Sequence, residues 1–503
     1  MPLLNPVDKY DHQLIGNVHP PNWSNPQPAK RYNLVVVGAG TAGLVCAAAA
    51  AGLGARVALI ERGLMGGDCL NFGCVPSKAL LRAARASSDA GRAGEFGVAI
   101  QVAPEVDFSV VMQRMRKLRA ALSGNDSASR FNRLGVDVFV GDGRFSSGDS
   151  FEVGGQSLRF SRAVIATGSR AAHLPVPGFE STGFITNENI FSLTALPRRL
   201  VVVGGGPVGC ELAQAFRRFG SLVTLLEVEP RILPREDADA AQIIRNALMR
   251  DGIEVIENCQ IQSAQIAEDG KIINLEGVFG HRGITFDEML VAVGRVPAID
   301  GLGLEAAGVD YDRRTGVKVD DHLRTTNSRV FAAGDVCSAY KFTHVADAMA
   351  RIVIRNALFR GRERVSSLTI PWCTYTDPEI ARVGLDEADA RRQNIPVQTF
   401  VQPLGEVDRA VLDGESEGFL KVQIRRGSDK IIGATLVARH AGEMISELTL
   451  AIAANVGLTT IARTIHPYPT QAEAVRKIGD TYNRTRLTPR VKWLLRQWLT
   501  WTR

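Results

Sequence analysis

Two stretches of the chain repeat one hydrophobic pattern. Leu34 to Val37 is a short unbroken apolar run that stops at a glycine, and Leu200 to Val203 is another. The first leads into Gly38-Ala39-Gly40-Thr41-Ala42-Gly43 and the second into Gly204-Gly205-Gly206-Pro207-Val208-Gly209, each followed by a helical segment. A second predicted strand closes each repeat, Arg56 to Ile60 before Glu61 and Leu222 to Leu226 before Glu227. The pattern predicts strand, glycine turn, helix, strand and acid, twice over, and hence an α/β chain with parallel sheets. In both copies the acid stands 23 residues after the first glycine, at 61 after 38 and at 227 after 204.

The spacing carries chemistry. Glycines permit a tight turn, close approach of backbone to a pyrophosphate and close helix packing, while the helix N-terminus offers N–H groups to the phosphates. Two such units in one chain imply hydride transfer between two dinucleotides. A terminal acid suits a free ribose 2′-hydroxyl, so Glu227 favours NADH over NADPH. Arg231 and Arg235 follow closely enough to leave NADPH open.

Between the first acid and a strongly helical segment lies Gly66-Gly67-Asp68-Cys69-Leu70-Asn71-Phe72-Gly73-Cys74-Val75-Pro76-Ser77-Lys78. Two cysteines five residues apart can join only if the chain doubles back, and Asn71 and Gly73 tolerate such a turn. Pro76 suits the first turn of a helix, which puts Cys74 near the positive end of the helix dipole, with Lys78 adding a cation. Two buried structural cysteines or half of a zinc site are the alternatives. Zinc requires two further ligands at matching spacing, and none is visible, so no metal site is expected. The flanking dinucleotide units favour a redox-active pair.

Composition narrows the class. The chain has 503 residues, of which 45% are hydrophobic and 22% charged, enough for two or three domains with cores of their own. No stretch supplies the roughly 18 uncharged apolar residues of a membrane span. Five basic residues and no acidic one lie from Arg486 onward, so five of the six net positive charges sit in the tail and the body carries +1. That balance argues against nucleic-acid binding. Seven scattered cysteines without an export signal predict a reducing, cytoplasmic setting. Cys46, Cys210, Cys259, Cys337 and Cys373 read as small buried hydrophobes.

With these residues in view, the chain resembles the class I pyridine nucleotide-disulfide oxidoreductases, the group of dihydrolipoamide dehydrogenase, glutathione reductase and mercuric reductase, from about residue 31 to 485. Ala166-Thr167-Gly168, Ala292-Val293-Gly294-Arg295-Val296-Pro297, Ala332-Ala333-Gly334-Asp335 and the stretch from Pro371 to Gly384 stand in the family's order. The resemblance implies two Rossmann-type dinucleotide-binding domains plus a C-terminal α+β dimerisation domain. Its boundaries are an extension at 1–30, an FAD-binding domain at 31–185 and again at 297–365, an NAD(P)-binding domain at 186–296, dimerisation at 366–485 and a basic amphipathic tail at 486–503.

By the same resemblance Gly38, Gly40, Gly43 and Glu61 bind FAD, joined by Lys78, Gly143, Thr167, Gly168, Thr343 and Asp335, the last on the ribityl chain. Gly204, Gly206, Gly209, Glu227 and Gly294 bind NAD. Lys78 pairs with Glu211 beside the flavin. A two-fold homodimer follows, in which each active site is completed by the partner's C-terminal segment. Electrons pass from NADH through FAD to a Cys69–Cys74 disulfide, entering at Cys74, and Cys69 becomes the thiol that meets a small-molecule, disulfide or soft-metal acceptor.

One position departs from the disulfide reductases. They place a histidine before Pro-Thr, with a glutamate five residues on, as the base that manages the interchange proton. Here Tyr468-Pro469-Thr470-Gln471-Ala472-Glu473 fills that stretch, and an unperturbed tyrosine, with a pKa near 10, is a poor base. His466, two residues earlier, is a candidate substitute. Mercuric reductases also carry tyrosine there, yet this chain has no cysteine after Cys373 and none before Cys46, and so lacks their outer metal-handing cysteines. The expectation is a mercuric reductase-like flavoenzyme, with a dihydrolipoyl dehydrogenase and a membrane-associated flavin redox sensor or quinone reductase as alternatives. The last idea comes from the tail, where Val491, Leu494, Leu495 and Trp498 share a helix face and Lys492, Arg496 and Arg503 reach solvent, a pattern suited to peripheral membrane contact.

Overall fold

The computed structural model describes residues 4, 7–99, 105–268, 270–278 and 280–503. The chain divides into two compact units, residues 1–228 with 252–367, and residues 229–251 with 368–503.

The first unit holds both nucleotide-type sheets. One has the order Val136–Val140, Val57–Glu61, Tyr32–Val37, Gln156–Ile165, with Val330–Ala332 also paired to Gln156–Ile165. These pairs are parallel, with Val35 opposite Ala58 and Ala163. An antiparallel extension of Ser150–Val153 and Gly143–Ser147 completes the sheet. The second sheet is parallel throughout, in the order Glu254–Ile256, Leu222–Leu226, Arg199–Val203, Glu288–Val291. The central strands are nearly continuous apolar runs because both of their faces are buried, with Val35, Val37, Ala58 and Ile60 packed in one cluster with Phe145 and Phe151 of the antiparallel extension. Parallel pairing aims the C-terminal ends of Tyr32–Val37 and Arg199–Val203 directly into the two glycine turns.

Ahead of the first sheet, residues 9–18 form a helix, capped by Asp8 accepting from the amides of Tyr10 and Asp11. The extension is tied onward: the Trp23 indole donates to Val138 O at 3.0 Å, and the Asn25 side chain bonds both ways with Val140.

The second unit is a five-stranded antiparallel sheet, ordered Pro371–Thr374, Glu379–Gly384, Ile431–Ala438, Phe419–Arg425, Val397–Pro403. Val383, Leu420, Val422 and Leu436 pack with Ile445 and Leu448 of the Ala441–Ala453 helix and with Val475 and Ile478 of the Glu473–Arg486 helix. Residues 229–251 belong to this unit, held by Lys421 to Asp237 at 2.8 Å and by the Trp372 indole to Glu236 at 2.8 Å.

Candidate active site

Both glycine turns end at the N-terminus of a helix, Thr41–Gly52 in one and Pro207–Phe219 in the other. The protein itself dictates the outer glycines. Gly38 and Gly204 have φ of +101° and +107°. A Cβ on Gly43 or Gly209 would collide with the carbonyl of Gly38 or Gly204. The middle glycines differ: Gly40 and Gly206 have φ of −78° and −74°, which any residue adopts. A Cβ on Gly206 meets nothing within 4 Å, and one on Gly40 meets only Gly67 Cα at 3.7 Å.

No protein contact explains glycine at these two positions. The space they leave lies before helix-terminal N–H groups that no side chain caps, which is the shape and polarity of a pyrophosphate seat. The residues present fit two dinucleotides.

The acids do more than the sequence suggested. Glu61 accepts from the amides of Ala39 and Gly63, each at 2.7 Å, and Glu227 accepts from the Gly205 amide at 2.7 Å. Each carboxylate therefore holds its glycine turn in shape, and a carboxylate has further lone pairs for a ribose. Burial pushes the Glu61 carboxyl up, against those amide hydrogen bonds. The Arg231 guanidinium is engaged with the carbonyls of Leu233, Pro234 and Glu236.

The cysteine turn is built from Gly66 and Gly67, both at positive φ, which swing the chain into the short helix Gly67–Asn71 carrying Cys69. Cys74 then opens the Cys74–Gly91 helix. Buried Asn71 ties the turn by donating to Met65 O at 3.0 Å and to Gly67 O at 2.8 Å. The two thiols interact electrostatically: Cys69, with Thr343 and Lys78, lowers the Cys74 pKa to about 6, against the opposing pull of burial and Glu211. The neighbouring Cys74, together with burial, pushes Cys69 up. Thr343 Oγ1, at the start of the Thr343–Phe359 helix, is 3.4 Å from Cys74 Sγ. Lys78 Nζ lies 2.8 Å from Glu211 Oε2, whose side chain is buried on the helix after the second glycine turn.

Cavities open on the two sulfurs separately. One of about 390 Å³ has Cys74, Lys78, Arg82 and Arg114 in its wall, and one of about 210 Å³ has Cys69, Thr41 and Asp126.

A polar chain runs beside the turn. Ser169 donates to Asp335 at 2.6 Å, the Arg295 Nε donates to Ser169 Oγ at 2.8 Å, and Arg295 reaches Asp68 at 2.9 Å. Thr167 Oγ1 donates to Ala298 O at 2.7 Å, the Ala298 amide donates to Gly168 O and the Ala172 amide to Gly294 O, each at 3.0 Å. Gly143 starts an antiparallel strand, where a Cβ would collide with the Phe151 ring, so packing alone accounts for that glycine. Ser169 and Asp68 were not singled out from the sequence, although each adjoins a residue that was. Among the described residues no group of three or more His, Cys, Asp or Glu is placed to hold a metal ion. Cys46, Cys210 and Cys259 are buried, whereas Cys337 and Cys373 are half-buried.

In the second unit, Tyr468 is 70% exposed and donates to Asp408 at 2.9 Å, an interaction that raises its pKa further. Glu473 is 2.7 Å from Arg476. His466 Nε2 is 2.9 Å from Glu447 and its Nδ1 faces Thr464 O at 3.1 Å, so both ring nitrogens are engaged. Asp408 and Glu447 carry no sequence signal, being 60 and 19 residues from their partners.

The fold, paired glycine seats and facing thiols define a two-dinucleotide dithiol oxidoreductase. The chain belongs to the pyridine nucleotide-disulphide oxidoreductase family, whose profile matches residues 32–350 and whose dimerisation domain matches 370–478. That family is FAD-dependent and uses NAD(P)H, and the dimerisation domain supports a homodimer. A mercuric reductase of Streptomyces lividans is 35% identical over 456 residues, 90% of this chain and 96% of the relative. A dihydrolipoyl dehydrogenase of Geobacillus stearothermophilus is 35% identical over 451 residues, 89% and 95% of the two chains. Among solved structures, the Cu(II) complex of the HOCl-induced flavoprotein disulfide reductase RclA from Escherichia coli superposes with a TM-score of 0.79 at 27% identity, covering 90% of this chain and 100% of that one.

Proposed function

We propose that the protein oxidises NADH and delivers the electron pair, by way of FAD and the Cys69–Cys74 pair, to a soft thiophilic metal ion captured by the two sulfurs. Tyr468 carries this reading. A disulfide acceptor requires Cys69 to lose a proton and a departing thiolate to gain one, the task of a general base. Cys69 is pushed up, and the Tyr468 phenol is pushed up by Asp408, so neither suits proton exchange near neutral pH. A soft cation removes the need, because a coordinating thiol is deprotonated by the ion itself.

Gly40 and Gly206 leave room for the two pyrophosphates. FAD, when bound, supplies two-electron transfer between the nicotinamide and the sulfurs. Cys74, a thiolate above about pH 6, is the sulfur next to Thr343 and Lys78 and so the electron entry point. Cys69, in the wall of a separate cavity, receives the acceptor. For a divalent ion the balance is NADH and M²⁺ giving NAD⁺, H⁺ and the zero-valent metal. Mercuric reductases among the relatives and the Cu(II) complex of RclA support this acceptor class. Glu227 favours NADH over NADPH.

The test is anaerobic NADH oxidation by the holoenzyme with Hg(II) buffered in excess small thiol, against lipoamide. Expected is turnover with Hg(II) that Cys69→Ser and Cys74→Ser abolish, and lipoamide turnover slower by about 10² or more, the usual contribution of a general base. Comparable lipoamide turnover would move the assignment to dihydrolipoyl dehydrogenase; Hg(II)-dependent oxidation surviving Cys69→Ser would end it.

A further inference from the structure

The last helix of the chain, Pro489–Trp501, has a complete N-terminus: the Thr488 hydroxyl accepts from the Val491 amide at 3.3 Å and Pro489 occupies the first turn. It nevertheless buries none of its residues. Trp498 is 59% exposed and Trp501 78%, their rings 5.2 Å apart. At about 100° per residue, Trp501, Leu494, Trp498, Val491, Leu495 and Leu499 fall in one arc. Lys492 and Arg496 border it on one side and Arg490 on the other, with no acidic residue after Asp480.

We infer that this helix is an in-plane anchor for an anionic phospholipid surface. The inference does not depend on the electron acceptor. The bordering cations decide the occupant. A second copy of the same helix would bring a like-charged rim against them, and the rest of the chain carries only +1, whereas phospholipid headgroups supply both an apolar layer and negative charge. Lys and Arg stems lie along the apolar face while their heads stay at headgroup level, and tryptophan prefers the same depth. With 13 residues the helix is about 20 Å long, short of the roughly 30 Å hydrocarbon core, so it lies along the surface rather than across it. Among the described residues no helix is long and apolar enough to cross a membrane.

The experiment sediments the full-length holoenzyme with phosphatidylcholine vesicles, alone or with a third of the lipid replaced by phosphatidylglycerol. Binding is expected only with the anionic vesicles, with a blue shift of tryptophan emission and loss of binding as salt is raised. Lys492→Gln with Arg496→Gln should lower partition by roughly tenfold or more, and Trp498→Ser should do likewise without altering NADH oxidation. A chain ending at Leu487 should stay dimeric by light scattering and bind neither vesicle. Equal binding to both lipids, or no binding to either, would overturn the inference. So would a truncated chain that falls to monomers, which would assign the face to the second copy.

Discussion

Asp11 and Arg119 form an ion pair of 2.8 Å with side chains 1% and 2% exposed, and Arg119 uses its other terminal nitrogen to donate to the carbonyl of Asn71 at 3.0 Å. Asn71 lies inside the turn between Cys69 and Cys74. A helix ahead of the family match, which begins at residue 32, is thereby coupled through one guanidinium to the backbone of the redox turn. Removing one member of a buried pair leaves the other uncompensated, at a cost of about 3–5 kcal/mol. Asp11→Asn should therefore destabilise the first unit and speed hydrogen exchange of the amides in residues 66–74. Faster exchange confined to residues 9–18 and 108–123 would show that the pair joins the two helices and nothing more.

The environment of Cys74 gives a signed pH prediction. In the NADH-reduced holoenzyme, alkylation by iodoacetamide should follow the thiolate, rising through a midpoint near 6 rather than the usual value of about 8.5. Lys78 lowers this pKa and Glu211 raises it. Lys78→Met should move the midpoint up and Glu211→Gln should move it down. Because the folded value is depressed, the stability gained from ionised Cys74 is present above the unfolded pKa and is lost as pH falls through about 6. Midpoints moving in the same direction would contradict these assignments.

The glycine turns separate packing from binding. Gly206→Ala places a methyl group in open space, so the chain should fold, retain FAD and show a raised KM for NADH. Gly209→Ala drives a methyl group into the Gly204 carbonyl and should reduce soluble, folded protein. Gly40→Ala should act as Gly206→Ala does, but on flavin retention, read from the visible absorbance per chain. A normal KM in Gly206→Ala would mean the pyrophosphate lies elsewhere.

The two α/β repeats were legible because short apolar strands, glycine spacing and a terminal acid are local signals. The cysteine turn is legible only in part: the sequence points to Asn71 and Gly73, whereas the structure puts the positive φ at Gly66 and Gly67, leaves Gly73 at negative φ and uses the Asn71 side chain as a tie. What the sequence hid are partners brought in by the fold. Arg119 reads as one more basic position on an amphipathic helix, and only packing shows that it spans from Asp11 to Asn71. Asp408 under Tyr468 and Glu447 under His466 are equally silent in sequence. Glu61 and Glu227 were recognisable as acids of the nucleotide repeats, but not as the groups that pin the amides of Ala39 and Gly205.

Tyr468 offers the most direct test of what limits the acceptor range. Restoring histidine supplies a group that titrates near neutrality, and a positioned base is worth about 10²–10⁴-fold. A histidine base also needs an acid to fix its tautomer and stabilise its charge, and the family's acid is the glutamate five residues on. Here Glu473 is paired with Arg476, which also holds Asp480 at 2.6 Å. Tyr468→His alone should therefore raise lipoamide turnover modestly, whereas Tyr468→His with Arg476→Gln should raise it by about 10² or more, with a pH profile rising through the histidine pKa. Hg(II) turnover should change little in either variant, since metal capture deprotonates the thiols without a base. Parallel gains for both acceptors would show that Tyr468 controls access to the sulfurs and not proton transfer.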